Sequence, residues 1–425
     1  MKTVLQANDP EQLLTHLVGP AQRIELGLER MQAAMARLDI PRQLPFPVVT
    51  VAGTNGKGSV VAYLEALALQ ASYRCAAYTS PHLWEFRERL RIDGQPLANQ
   101  RWMSQIEMLG ERVADIPLTY FELSTLAALR LCLEETPDLA ILEVGLGGRL
   151  DAVNAVDADL AVITSIDLDH QQFLGPDRES IGREKAGICR RGRPLLYGDT
   201  NGPCSSVLAA AAACGAELQV LGRDFFLTAT GEWRSGSVQY AVPPPLDDHP
   251  SQYNNLGLAL AAAARLQKRL PRIWPPPAQW QVPIRLLGRK QWLRPWGAEG
   301  PRLLVDVAHN PQATGALAEL LAREKAQVWA YWGMMADKDL AAAIAPLQGR
   351  VSGWTLLAMS ENPRAAAPAQ LRTVLGAAAG AGEIPLAELA QHLAERAATL
   401  AHDDILLCFG SFQVLSALPR YWFPD

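Results

Sequence analysis

Unbroken runs of valine, isoleucine and leucine, each followed by a segment with helical spacing, limit most strongly how this chain can fold. VVTVA from Val48, LAILEV from Leu139 and DLAVITSI from Asp159 carry apolar side chains at consecutive positions, not at every second one. A strand of that kind must be covered on both faces, which suits a parallel sheet sandwiched between helices. SVVAYLEALALQA from Ser59 and FELSTLAALRLCLEE from Phe121 supply helices between the strands. Strand and helix in alternation predict an α/β fold with a doubly wound parallel sheet.

The pattern changes between Asp224 and Val242, where FFLTATGEWRSGSVQYAV reads as short antiparallel strands with glycine turns. A helix follows from Ser251. PRIWPPPAQWQVP comes next; it cannot continue a helix and lacks donors for a central strand. The alternation then restarts with RLLVDVAHN from Arg302, PQATGALAELLARE, AQVWAYWG, GWTLLAM and DDILLCFGS. A chain of 425 residues favours two domains. The expected division is 1–283 for the larger and 284–425 for a second, smaller Rossmann-like α/β domain.

Charged residues make up 20% of the chain, and the net charge of −5 gives no reason to expect nucleic acid or an acidic membrane as partner. No apolar stretch is long enough to span a bilayer, and MKTVLQANDPEQLL lacks the plan of a secretory leader. A cytoplasmic location is therefore expected. The six cysteines form no CxxC pair and read as buried, reduced thiols. No heptad or interface stripe stands out, so a monomer is expected.

The most informative local motif is VAGTNGKGS, Val51–Ser59, at the passage from a strand to a helix. Glycines there let backbone amides converge on phosphate oxygens, and the helix N-terminus adds a favourable dipole. Gly53, Thr54, Asn55, Gly56 and Gly58 would line the cradle. Lys57 would reach the outer phosphates, and Ser59 could serve phosphate or magnesium. The motif departs from the usual phosphate-loop pattern twice: Val51 stands where a first glycine belongs, and Gly58 separates the lysine from the hydroxyl.

GTNGKGS resembles the nucleotide loop of the Mur-ligase-like superfamily, and within it the folylpolyglutamate synthase and dihydrofolate synthase family. The resemblance runs through YTSPHL (Tyr78–Leu83), ERLRIDG (Glu88–Gly94), TYFE (Thr119–Glu122), LEVGLGGRLDAVN (Leu142–Asn154) and LGPDRESIGREKAGI (Leu174–Ile188). It continues through LLGR (Leu286–Arg289), DVAHNP (Asp306–Pro311), GMMADKD (Gly333–Asp339) and the terminal GSF (Gly410–Phe412). It implies ATP-dependent ligation of L-glutamate to dihydropteroate and to reduced folates through an acyl phosphate. Cofactors implied are ATP and Mg2+, with two metal sites, and potassium as an added cation that no particular residue here supports.

The same resemblance implies Ser80, Glu143 and His170 as metal ligands, with Ser59 and a carbamylated Lys185 beside them. Each of the first three ends, or lies just beyond, an apparent strand, where ligands collect in open α/β sheets. A histidine is nonetheless an unusual magnesium ligand, and Lys185 by itself reads as a solvated helix charge. Phe121 would stack on a pterin or aminobenzoate ring. Arg149 would pair with a carboxylate or phosphate, and Asp151 would accept hydrogen bonds from the pterin. Asn255 and, in the second domain, Arg289 are implied to approach the nucleotide, while Asp306 and His309 would bind it and orient the glutamate amine.

Four positions depart from the family pattern: Val153 for a usual threonine, Asp167 for a small residue, Leu287 for a proline and Lys290 for an aromatic ring. Other readings are a single-activity synthase, a Mur-type ligase of cell-wall precursors, and a catalytically silent nucleotide-binding regulator. The short stretch ahead of the phosphate loop argues against the second. Intact Lys57, Glu143, His170 and Lys185 argue against the third.

Overall fold

The computed structural model describes residues 9–21, 23–276, 286–376 and 382–424. It contains two compact units. The first takes the described residues up to Asp167 and from Leu174 to 276. The second takes those from 286 onward and also the short segment Leu168–Phe173. The expected boundary near Pro283 lies outside the described residues.

The first unit is built on β1 (Val48–Ala52), β2 (Cys75–Tyr78), β3 (Leu90–Ile92), β4 (Gln95–Pro96), β5 (Leu139–Glu143), β6 (Leu160–Ile163), β7 (Pro194–Tyr197) and β8 (Glu217–Val220). Their spatial order is β4-β3-β2-β5-β1-β6-β7-β8. From β2 to β8 every pairing is parallel. The doubly wound sheet expected from the sequence is thus parallel across its body, and at one edge β3 and β4 run antiparallel. Strands this short carry no periodic signal.

Both faces of this sheet are buried, as the unbroken apolar runs require. Val49, Val51, Leu139 and Ile141 point into one core with Val60, Leu64 and Leu67 of the helix Lys57–Gln70 and with the helix Pro250–Leu266. Their neighbours Val48, Ala140 and Leu142 point into the other, with the helices Glu29–Arg37, Asn99–Arg112 and Tyr120–Glu135. The last helix starts on a capping box, in which Thr119 and Glu122 exchange side-chain and backbone bonds. A separate antiparallel sheet of β9 (Phe225–Leu227), β10 (Glu232–Ser235) and β11 (Val238–Ala241) inserts Phe225 and Trp233 into the first core.

The second unit holds β12 (Gln291–Leu293), β13 (Arg302–Asp306), β14 (Val328–Trp332), β15 (Gly353–Ala358), β16 (Gly382–Pro385) and β17 (Ile405–Phe409), ordered β12-β13-β17-β14-β15-β16. Only β12 pairs antiparallel. Leu304, Trp332, Leu407 and Phe409 pack with Leu317 and Leu321 of the helix Pro311–Ala322. Among the described residues no helix is long and apolar enough to cross a membrane.

The fully buried Leu64 links the helix that follows β1 to the sheet. Leu64→Ala should cost about 2–5 kcal/mol, because the rigid strands beneath it cannot collapse into the space it leaves. Urea unfolding curves of the two proteins will measure the difference.

Candidate active site

The passage from β1 to its helix forms the centre of the first unit's site. Gly56 caps the helix at φ +88°, and a Cβ there would stand 2.5 Å from Asn255 Oδ1. Only glycine meets both demands without strain. The N-cap is a glycine and brings no side chain to the helix start, which carries the positive end of the dipole. Gly58 has nothing within 4 Å of a Cβ position, so protein packing does not demand a glycine there. Lys57 bends back over the loop, and its ammonium donates to the carbonyls of Gly53 (3.0 Å) and Thr54 (3.2 Å). Ser59, in the first helical turn, is buried.

The residues just after β6 strap this loop in place. Thr54 N–H donates to Ser165 O at 2.7 Å, and Asn55 N–H to Ser165 Oγ at 3.2 Å. Thr164 Oγ1 donates to Asn55 O at 2.6 Å. Thr54 Oγ1 accepts from Asp167 N–H at 3.0 Å and donates to Asp167 O at 3.1 Å. Thr164 and Ser165 escaped sequence reasoning. The available signal was their place at the carboxyl end of the strand beside β1.

Glu143 ends β5 and Ser80 lies just beyond β2, the adjacent strand. The buried Glu143 carboxylate accepts from Ser80 N–H at 3.3 Å. Among the described residues no group of three or more His, Cys, Asp and Glu side chains gathers as a metal cage. One carboxylate near serine hydroxyls and a phosphate loop is nevertheless a donor set that fits magnesium, which takes few protein oxygens and keeps waters and phosphates.

The glycine-rich block after β5 turns around Asp151. This buried carboxylate accepts from the N–H groups of Leu146 (2.8 Å) and Val153 (3.0 Å). Burial outweighs those bonds and pushes its pKa up to about 7. Arg149 is exposed and pairs with Glu184 at 2.8 Å, next to the buried Lys185. Phe121 is half-buried; its ring leans on Gly145, where a Cβ would come within 2.6 Å, and stacks on Tyr78 at a centroid distance of 6.4 Å.

The second unit gathers another set. Asp306 ends β13 and accepts from Lys290 N–H (2.7 Å) and Ala308 N–H (2.6 Å); burial raises its pKa despite nearby Arg289. The Arg289 guanidinium lies over Phe412 at 5.3 Å. Asn310 caps the helix Pro311–Ala322. His309 Nε2 stands 3.4 Å from Asp169, whose carboxylate also accepts from Lys338 Nζ at 2.6 Å. Burial alone would raise the Asp169 carboxyl, but the His309 hydrogen bond and the Lys338 ammonium hold it well below the usual range. Lys338 Nζ is 3.0 Å from His170 Nε2, and Asp337 is 3.8 Å from its Nδ1. Burial and the Lys338 charge push the His170 imidazole down to about 3, so it is neutral at pH 7. An ammonium donor at Nε2 places the ring proton on Nδ1. Lys338 and Asp169 were not singled out from sequence, although Lys338 belongs to the GMMADKD block.

Residues 288–412 match the family described as Mur ligase, glutamate ligase domain. The chain is 40% identical over 404 residues to the dihydrofolate synthase/folylpolyglutamate synthase of Escherichia coli K12, covering 93% of this chain and 91% of that one. Escherichia coli FolC solved in complex with DHPP and ADP superposes with a TM-score of 0.83 at 37% identity, covering 96% of each chain. The Yersinia pestis bifunctional folylpolyglutamate synthase/dihydrofolate synthase complexed with AMPPNP and Mn gives 0.82 at 37%, also covering 96% of each.

The Asp151 proton supplies a check on this geometry. Its folded pKa lies above the unfolded value of about 3.9, so the folded state holds the proton more tightly. The stabilisation is full below about pH 4 and is lost as pH rises through about 7. Carboxyl 13C NMR should show one aspartate titrating near neutrality, and Asp151→Asn should remove that signal.

Proposed function

Because this chain belongs to the dihydrofolate synthase/folylpolyglutamate synthase family of ATP-dependent amide ligases, we propose that it joins L-glutamate to dihydropteroate, forming dihydrofolate, and also to reduced folates, extending their glutamate tails. The observation that carries this reading is the strapped glycine loop opening onto a helix N-terminus with Lys57 folded over it.

The chemistry has three requirements. A poorly reactive carboxylate must be activated, which transfer of the γ-phosphoryl group of ATP achieves by forming an acyl phosphate. That intermediate must be kept from water. The glutamate amine must then attack it and expel phosphate. Phosphoryl transfer is mostly positioning and charge neutralisation. In this reading the amides of Gly53–Ser59 and the Lys57 ammonium hold the phosphates, and Asn255 fixes Gly56 from behind. Magnesium, when bound, would cancel phosphate charge. Ser59, Ser80 and Glu143 would hold it, with neutral His170 and a carbamylated Lys185 serving a second ion.

Arg289 would neutralise charge developing on the transferred group. Asp306 and His309 would serve nucleotide binding and the orientation of the amine. Phe121 would offer its ring to the flat pterin-aminobenzoate face, and Arg149 would attract the anionic end of the substrate. Asp151, with its oxygens turned to loop amides, would shape the glycine turn that borders this substrate. We further propose that the protein works as a cytoplasmic monomer.

Incorporation of labelled L-glutamate with MgATP, run with dihydropteroate and a reduced folate side by side, tests the reading. Both acceptors should be glutamylated. Labelling of one alone assigns a single activity, and labelling of neither by a protein that binds ATP rejects the folate assignment. Lys57→Met should lower kcat by about 10²–10³-fold, the usual loss when one charge-stabilising donor is removed.

A further inference from the structure

The ligase reading gives no task to Asp199, a buried aspartate just beyond β7. Its Oδ2 accepts from Ile166 N–H at 3.1 Å and from Arg178 Nη2 at 2.7 Å. Arg178 Nε in turn donates to Ile166 O at 2.9 Å. The pair therefore grips both backbone polar groups of a single residue. That residue stands between Ser165 and Asp167, the two whose backbone and hydroxyl groups hold Thr54 and Asn55 of the phosphate loop.

A buried charge is costly unless it is fully paired, so a site that retains one between two hydrogen-bonded neighbours is rigid. An isoleucine in a plain turn would leave its N–H and C=O to water and let the strap drift. Here the fork of one guanidinium and the two lone pairs of one carboxylate oxygen fix both. Arg178 also opens the helix Arg178–Ala186, which carries Lys185 in its last turn. One clamp thus sets the position of the phosphate loop and of the helix bearing Lys185.

We propose that Asp199 and Arg178 are positioning residues for nucleotide binding, acting through Ile166 on the loop Gly53–Lys57. The proposal rests on the nucleotide reading above. It distinguishes the pair from an ordinary surface salt bridge, which would contribute little and would not discriminate between substrates.

The test compares Asp199→Ala, Asp199→Asn and Arg178→Lys with the unaltered protein, by binding of a fluorescent ATP analogue and by steady-state kinetics. Arg178→Lys keeps the charge, but a single ammonium cannot span Ile166 O and Asp199 as the guanidinium does. The KM for MgATP should rise about tenfold in Asp199→Ala and Arg178→Lys, a magnitude usual for outer-shell supports. The KM for glutamate should change by less than about twofold, since neither the phosphate loop nor the helix bearing Lys185 is assigned to the glutamate amine. Asp199→Asn, which keeps an acceptor for Ile166 N–H, should recover part of the loss. If Asp199→Ala does not fold, the other two variants still give the reading. Variants that melt earlier but bind nucleotide as tightly as the parent overturn this proposal alone. A parent protein that binds no nucleotide overturns the ligase reading, and this proposal with it.

Discussion

The parallel pairing of β1 with β6 is the constraint on which the first unit's site depends. Side by side and in register from Val49 opposite Leu160 to Ala52 opposite Ile163, the two strands end together. Their next residues therefore emerge at the same edge. The four loop residues between β1 and its helix would otherwise be a flexible glycine-rich turn, with a large entropy to lose on binding a polyphosphate. Bonds from Thr164, Ser165 and Asp167 remove that freedom in advance. The helix amides are then aimed before any anion arrives, which is preorganisation in the sense that matters for a phosphoryl-transfer site.

Burying a carboxylate has consequences of opposite sign at different places in this structure. At Asp151 burial outweighs the loop amides and the more distant Lys57 charge: its pKa rises to about 7. Asp169 sits among cations, and their field wins over the same burial penalty. His170 shares that cluster and is driven neutral, because Lys338 competes with it for positive charge. The sign in each case is decided by which neighbours the fold brings near, not by the residue type.

How much of this could be read from sequence follows from the range of each interaction. The alternation of apolar runs and helices is local, so the positions of β1, β5, β6, β13, β14 and β17 were legible. The antiparallel edge β3–β4 was not, because pairings of two or three residues are decided by neighbours in space. The same division holds at the site. Lys57 and Glu143 announce themselves through local motif and strand end. Asp199 is invisible, since its meaning lies in Ile166 and Arg178, which are distant along the chain but adjacent at the sheet's edge. The segment Leu168–Phe173 is a similar case: nothing local says that it belongs with the second unit.

The departures from family pattern acquire physical content in this frame. Val153 is fully buried among Tyr120, Leu123 and Ala155, so an apolar side chain costs nothing there, whereas a hydroxyl would need a partner. Asp167 serves the phosphate loop through its backbone N–H and C=O, a task open to any residue except proline. Lys290 likewise acts through its amide on Asp306, with φ at +43°, a conformation that offers no advantage to an aromatic ring. Leu287 is exposed and leaves the turn before Arg289 without the fixed φ a proline would impose. At Asp167 and Lys290 the backbone, and at Val153 the core, makes the contact described. The residues proposed to act through their side chains, Lys57, Glu143, Lys185 and His170 among them, match the family's pattern.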